Sequence, residues 1–206
     1  AGPNHRTTWR VLPGERTLAP GRDVIELRLV ADGRDGLQVE KVYTFKRDSY
    51  VIDVALELRN KSPVPVATYG YFQLTHDGRP DADADTLAQQ FGAQSFTGFA
   101  VYSEERKSEK VHPSDLDGGE AEHVARADSG WLAFVQHYFV SAWMLPEKVE
   151  RDYGALKRSD GSYSGNAVVN AGTIAPGGSA LVKASLYAGP QEQCRLQEAA
   201  TGLDYV

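Results

Sequence analysis

Residues 130–146 read GWLAFVQHYFVSAWMLP, from Gly130 to Pro146, and hold two of the chain's three tryptophans and its only methionine, Met144. A membrane-crossing helix needs ~20 consecutive apolar residues. This run is shorter, is interrupted by Gln136 and His137, and is bounded by a glycine and a proline. A short aromatic run between breakers predicts buried β-structure with a local bend at Gln136–His137. Trp131, Phe134, Tyr138, Phe139 and Trp143 are therefore the expected core residues. His137 is expected at the bend, with its ring nitrogens satisfied by backbone.

Strand patterns surround this run. Val24–Val30 puts Ile25, Leu27 and Leu29 on one face and Glu26 and Arg28 on the other, the period-two alternation of a half-buried strand. Asp32-Gly33 and Asp35-Gly36 mark a turn, and Leu37–Lys46 returns as the second arm of a hairpin. In Tyr50–Arg59 the residues Tyr50, Ile52, Val54, Leu56 and Leu58 alternate with Asp53, Glu57 and Arg59, as a sheet with one wet face requires. Further strands are expected at Trp9–Leu12, Val66–Leu74, Phe96–Tyr102, Tyr153–Arg158, Tyr163–Ala171 and Ser179–Tyr187. His76–Asp85 and Asp115–Gly119 read as loops. Ala175-Pro176-Gly177-Gly178 carries the proline and glycine of a type II turn. One helix is expected, near the end: Gly189 to cap it, Pro190 in its first turn, good formers over Gln191–Ala200, and Gly202 to stop it. Many strands with turn signals and one terminal helix predict an all-β, antiparallel sandwich. No composition shift divides the chain, so residues 1–206 are expected to be a single domain with its terminal helix within 190–200.

The bulk numbers narrow the function. With 206 residues, the chain is long enough to bury a core without disulfides or metals. Its 22 basic and 28 acidic residues give a net charge of −6. That lacks the basic footprint needed to bind nucleic acid or anionic lipid headgroups. A lone cysteine, Cys194, forms no intrachain disulfide and leaves the compartment open. The chain begins Ala1-Gly2-Pro3 and shows neither signal peptide nor apolar span, so it is expected to be a piece of a longer protein.

Sequence motifs for catalysis or metal binding fail one by one. Asp81, Asp83 and Asp85 have the spacing that opens a calcium loop, but Thr86 stands where glycine is needed and Gly92 where a bidentate glutamate is needed. The five histidines, His5, His76, His112, His123 and His137, form no metal-ligand pattern. Gly161-Ser162-Tyr163-Ser164-Gly165 puts Tyr163 where a nucleophile elbow has serine. The glycine pairs at 118–119 and 177–178 lack a following Lys-Ser/Thr. No catalytic residue, metal or cofactor is expected. Glu104, Glu105, Arg106 and Lys107 open a mixed-charge cluster that suits a solvated edge or a transient protein contact.

Taken in order, several blocks resemble one family. They are Tyr43–Val54 (YTFKRDSYVIDV) running into Leu58-Arg59-Asn60, then Phe96–Tyr102 (FTGFAVY), Glu109-Lys110-Val111, Gly130–Trp143, and finally Leu186–Gln193 (LYAGPQEQ) followed by Gly202-Leu203-Asp204. The chain is similar, over about Lys41 to Asp204, to the large periplasmic domain of the YidC membrane protein insertase family of Gram-negative bacteria. The GW…QHYF…SAW block is the specific part. The resemblance implies an antiparallel β-supersandwich of the galactose-mutarotase-like kind with a short C-terminal α-helix. It implies a place on the periplasmic face of the bacterial inner membrane, tethered by segments outside this chain. It further implies a non-catalytic scaffold that assists insertion and folding of inner-membrane proteins, alone or with the Sec translocon. The implied partners, through the full-length protein, are SecDF, SecYEG and nascent membrane proteins. The chain departs from the family in Met144-Leu145-Pro146, where the family has a shorter Ile-Pro ending, and in further amino-terminal strands that it either lacks or has lost to trimming, which would leave a sheet edge exposed. The competing reading is a carbohydrate- or peptide-binding sandwich, or a mutarotase-like sugar enzyme. Such an enzyme needs an acid and a base converging on one cleft; the sequence offers no such pair, His137 with Glu122 being no more than a guess.

Overall fold

Alternation and glycine turns set the first sheet. Val24–Asp32 (β2) and Leu37–Lys46 (β3) pair antiparallel from Val24↔Lys46 to Asp32↔Gln38. Gly36, at φ 79°, donates to the Gly33 carbonyl in the connecting turn, a conformation that suits glycine. The structure, a computed structural model, describes residues 2–79, 96–119 and 121–206. The acidic run Asp81–Asp85 lies outside the described residues. The chain forms two compact units, Ala1–Gly70 with Val169–Leu186, and Tyr71–Val168 with Tyr187–Val206.

In the first unit, β2 and β3 are joined by Arg10–Val11 (β1) on one side and Val51–Asn60 (β4) on the other. The β3–β4 register runs from Leu37↔Asn60 to Phe45↔Ile52. It lines up Ile52, Val54, Leu56 and Leu58 with Phe45, Tyr43, Lys41 and Val39 on one face. Tyr50 falls just before β4 and is exposed. Lys41 lies among apolar neighbours with its Nζ 4.0 Å from the centroid of the Trp9 ring, and burial lowers its pKa. The expected type II turn forms: Gly178 donates to the Ala175 carbonyl at 2.9 Å, with Gly177 at φ 74°. Asn60 fixes that turn from β4. Its backbone bonds Gly177 and Gly178, and its buried amide nitrogen donates to the carbonyls of Val64 and Ile174 at 2.7 and 2.9 Å. Ser62 donates to its Oδ1 from both N–H and Oγ, at 2.9 and 2.7 Å. A buried side-chain amide is tolerable when its hydrogen bonds are met in this way.

The second unit is built on the aromatic run. Trp131–Val135 (β9) and Phe139–Met144 (β10) form a hairpin bent at Gln136–Tyr138, from Val140↔Val135 to Met144↔Trp131. Gly98–Ser103 (β6) pairs with the other side of β9, and Lys107–Val111 (β7) forms the outer edge. All five residues of β9 are buried, so this strand is covered on both faces. On one face Phe134 stacks on His76 at 4.6 Å and meets Phe99 edge-on at 4.9 Å. Gly165 lies against Phe99 and Leu132 there, and any Cβ would meet the Phe99 ring at 2.7 Å. On the other face Trp131 stacks on Tyr102 at 5.5 Å. Val66–His76 (β5), Arg126–Ala127 (β8), Arg151–Lys157 (β11), Tyr163–Ile174 (β12) and Ser179–Pro190 (β13) complete the strands. β5, β12 and β13 each contribute residues to both units.

The helical parts differ from the sequence expectation. Asp115–Gly119, read as a loop, falls largely within a short helix, Pro113–Gly118 (α1), opened by Pro113 and by His112 N–H donating to Asp115 Oδ2 at 2.9 Å. The terminal helix is Gln193–Ala199 (α2), shorter than expected. Pro190 ends β13 instead of opening a helix, because the sheet ladder holds the chain extended to that point. Gly202, at φ 73°, opens a 3₁₀ turn over Leu203–Tyr205 instead of stopping α2.

Candidate functional site

The mixed-charge cluster forms the β6–β7 turn. Ser103 pairs with Lys107 across Glu104, Glu105 and Arg106. Lys107, the first residue of β7 after the turn, takes φ 57°, a left-handed conformation commonly supplied by glycine. Two buried hydroxyls hold the turn: Ser103 Oγ accepts from Arg106 N–H at 3.1 Å, and Ser129 Oγ accepts from Glu104 N–H at 3.1 Å. Arg106 turns back to Glu109 at 2.9 Å, and Glu109 also accepts from Val124 N–H at 2.8 Å. Among the described residues, no ion pair engages Glu104, Glu105 or Lys107. All four predicted contact residues are exposed, and the charges of three of them meet no partner among the described residues.

The turn rests against a feature the sequence did not signal. Gly130 passes so close to β6 that a Cβ would lie 1.8 Å from the Tyr102 carbonyl oxygen. In the same unit Arg151 is 1% exposed. Its Nη2 donates to the Pro146 carbonyl at 2.6 Å, while its Nε and Nη1 have no partner among the described residues. Burial lowers its pKa, and burial pushes the phenol of Tyr153 up to about 12. One arginine at the start of a strand gives no pattern from which burial could be read.

The five predicted core residues separate. Trp131 is 1% and Phe134 8% exposed. Trp143 is half-buried, 5.0 Å from Phe72, and donates from Nε1 to the Gln73 carbonyl at 3.1 Å. Tyr138 and Phe139 are 56% and 59% exposed, against expectation. They sit at the tip of the β9–β10 hairpin, where Gln136 N–H donates to the Phe139 carbonyl at 2.9 Å and Gln191 N–H to the Tyr138 carbonyl at 2.8 Å. In β10 the buried residues are Val140, Ala142 and Met144, so the alternation sends Phe139 outward. His137 meets the Tyr138 ring edge-on at 4.1 Å, while Glu122 is exposed.

The chain matches the family described as "YidC periplasmic domain" over residues 1–206. This chain belongs to the YidC periplasmic domain family. It is 43% identical over 204 residues to the "Membrane protein insertase YidC" of Aromatoleum aromaticum, covering 99% of this chain and 36% of that protein. With the same-named protein of Nitrosomonas europaea the identity is 44% over 204 residues, covering 98% and 32%. The chain thus spans about a third of the length of these relatives, all named as insertases and not as enzymes. The YidC periplasmic domain also has structural likenesses. An α-galactosidase from Lactobacillus brevis matches with a TM-score of 0.56 at 13% identity, covering 92% of this chain and 27% of that one. The galactosidase domain of the α-galactosidase-sucrose kinase AgaSK matches with a TM-score of 0.55 at 12% identity, covering 93% and 28%. At such identity the likeness is one of fold: the antiparallel β-supersandwich, here with a short C-terminal helix. No helix among the described residues is long and apolar enough to cross a membrane.

Proposed function

We propose that this periplasmic domain is a non-catalytic scaffold and interaction module of a membrane protein insertase at the periplasmic face of the inner membrane. In this reading the full-length protein guides nascent membrane proteins, and the domain meets components of the Sec translocon, SecDF and SecYEG. Residues 1–206 act as one module, as the sharing of β5, β12 and β13 between the two units supports. Membership of the family over the whole chain carries the proposal. The contact surface is the β6–β7 turn, because Ser103 and Ser129 hold it while Glu104, Glu105 and Lys107 make no ion pair among the described residues. Such charges set orientation and encounter rate in a transient contact.

The test reverses the charges at Glu104, Glu105 and Lys107 in the full-length protein and measures recovery of SecDF and SecYEG with it from solubilised membranes. Recovery is expected to fall and to become less sensitive to salt. Unchanged recovery with the fold intact would remove the turn from the contact surface.

A further inference from the structure

His76 ends β5 with its side chain 13% exposed and its ring stacked on Phe134 of β9, at 4.6 Å between centroids and 20° between planes. Its Nδ1 accepts a hydrogen bond from the N–H of Gly78 at 3.1 Å. An imidazole nitrogen accepts only while it carries no proton, so the proton of the neutral ring sits on Nε2. That nitrogen faces Asp77 Oδ1 at 3.8 Å.

The bond to Gly78 sets how the chain leaves the sheet. Gly78 takes φ 78° and lies close against the start of β12: a Cβ there would stand 3.0 Å from the Gly161 carbonyl oxygen and 3.0 Å from the Tyr163 ring. Asp77 braces the same turn, its Oδ1 accepting from Arg79 N–H at 3.0 Å and its Oδ2 lying 3.5 Å from Arg79 Nε. Tyr163 is held from its other end. Its hydroxyl donates to Asp117 Oδ1 of α1 at 2.8 Å, and Lys157 Nζ of β11 pairs with the same oxygen at 2.8 Å. Asp77–Arg79 thus closes over Tyr163, and Nδ1 of His76 is its hydrogen-bonded tie to the end of β5.

We infer that His76 is an acid-sensitive clasp: neutral, it pins Gly78 over Tyr163; protonated, it releases the Asp77–Arg79 turn. Histidine is the side chain that changes charge between about pH 5 and 8. A proton added at Nδ1 points at the Gly78 N–H, and two donors make no bond. The ring itself stays seated, because a cation over the face of Phe134 is attracted by it. The charges around the clasp are Asp77 and Arg79 in the turn itself, Asp117 and Lys157 beyond Tyr163, and Arg158 and Asp160 in the turn that carries Gly161; β9 brings none. Asp117 is not a second trigger. Hydrogen bonds from Lys157 and Tyr163 hold its carboxyl below the usual carboxylate range, so acid that reaches His76 leaves the far side of Tyr163 anchored. This inference stands on local geometry and does not depend on the Sec contact proposed above.

The test follows the 206-residue chain by nuclear magnetic resonance through a pH titration. Ring-nitrogen shifts of His76 report its protonation. The protection of the Gly78 amide, taken against the intrinsic exchange rate at each pH, reports the clasp. As His76 gains its proton, protection at Gly78 is expected to fall ~10-fold or more, while the Gly161 amide, bonded to the Arg158 carbonyl at 3.0 Å, keeps its own. His76→Asn supplies a carbonyl acceptor that does not titrate, within Asx-turn reach of the residue two places on, and is expected to keep Gly78 protected throughout. His76→Phe keeps a ring over Phe134 without an acceptor and is expected to leave Gly78 unprotected even at neutral pH. Unchanged protection at Gly78 once His76 is protonated overturns the proposal. So does the same acid-induced loss in His76→Asn, or a His76 ring that stays neutral down to about pH 5.

Discussion

The indole Nε1–H of Trp131 donates to the carbonyl of Thr201 at 3.1 Å, across 70 residues of chain. This bond ties the core strand β9 to the segment that follows α2. Beside it, Gly202 lies so close to Tyr102 that a Cβ would stand 2.5 Å from the ring, and Tyr102 stacks on Trp131. Trp131→Ala removes a buried indole, its stacking and this bond together. The expected cost is ~3–5 kcal/mol, read as a lower urea midpoint.

Tyr138 and Phe139 should behave oppositely. Their side chains are mostly in solvent, and exposed substitutions of this kind change stability by ~0.5 kcal/mol or less. Tyr138→Ser and Phe139→Ser should melt like the parent. A loss as large as that of Trp131→Ala would place these rings back in the core.

Gly130 and Gly177 separate two costs that glycine avoids. Both have positive φ, 89° and 74°, but only Gly130 has backbone in the way of a Cβ. Gly177→Ala should cost ~1–2 kcal/mol from conformation alone. Gly130→Ala adds a collision with the Tyr102 carbonyl and should cost ~3 kcal/mol or more. Equal losses in denaturant titrations would mean that β6 can move aside.

Lys107 occupies a left-handed position without being glycine. Lys107→Gly relieves that strain and should raise stability by ~0.5–1 kcal/mol, the conformational gain exceeding the entropy that glycine loses. If Lys107 also belongs to the contact surface, the same variant weakens recovery of the Sec components. More stability with less association would separate the two roles.

Alkaline stability should report Tyr153. Burial raises its folded pKa to about 12, and an unfolded phenol titrates near ~10. Below pH ~10 both states hold the proton. Between ~10 and ~12 the unfolded chain releases it first, so stability falls as pH rises, by up to ~3 kcal/mol over the window. Tyr153→Phe should flatten that fall relative to the parent, because the lost hydroxyl makes only a 3.4 Å contact with the Ser129 carbonyl. Parallel curves for the two proteins would contradict the assignment.

Much of this architecture was legible from spacing. Asp-Gly pairs located the β2–β3 turn, Pro176-Gly177 set a type II turn, and alternation named the face of β4 that carries Val54 and Leu58. The aromatic run was legible as β-structure bent near Gln136–His137, but which of its side chains are buried was not. In FVSAWM the set Phe139, Ser141, Trp143 and the set Val140, Ala142, Met144 lie on opposite faces. Both sets contain large apolar residues, so alternation alone does not choose between them. The bend at Gln136–Tyr138 chooses, by setting the register that puts Met144 opposite Trp131. The family resemblance rested on residue order, and the match over the whole chain established it. The buried Arg151 was invisible because its burial depends on what distant segments cover.

Seven residues make too short a helix to persist in water by themselves, so α2 depends on the packing of its buried Leu196 and on the segment after it, which Trp131 holds at Thr201. Tension applied along Ala200–Tyr205 would be transmitted straight to that indole. Emission from Trp131 would then report whether its bond to the Thr201 carbonyl holds.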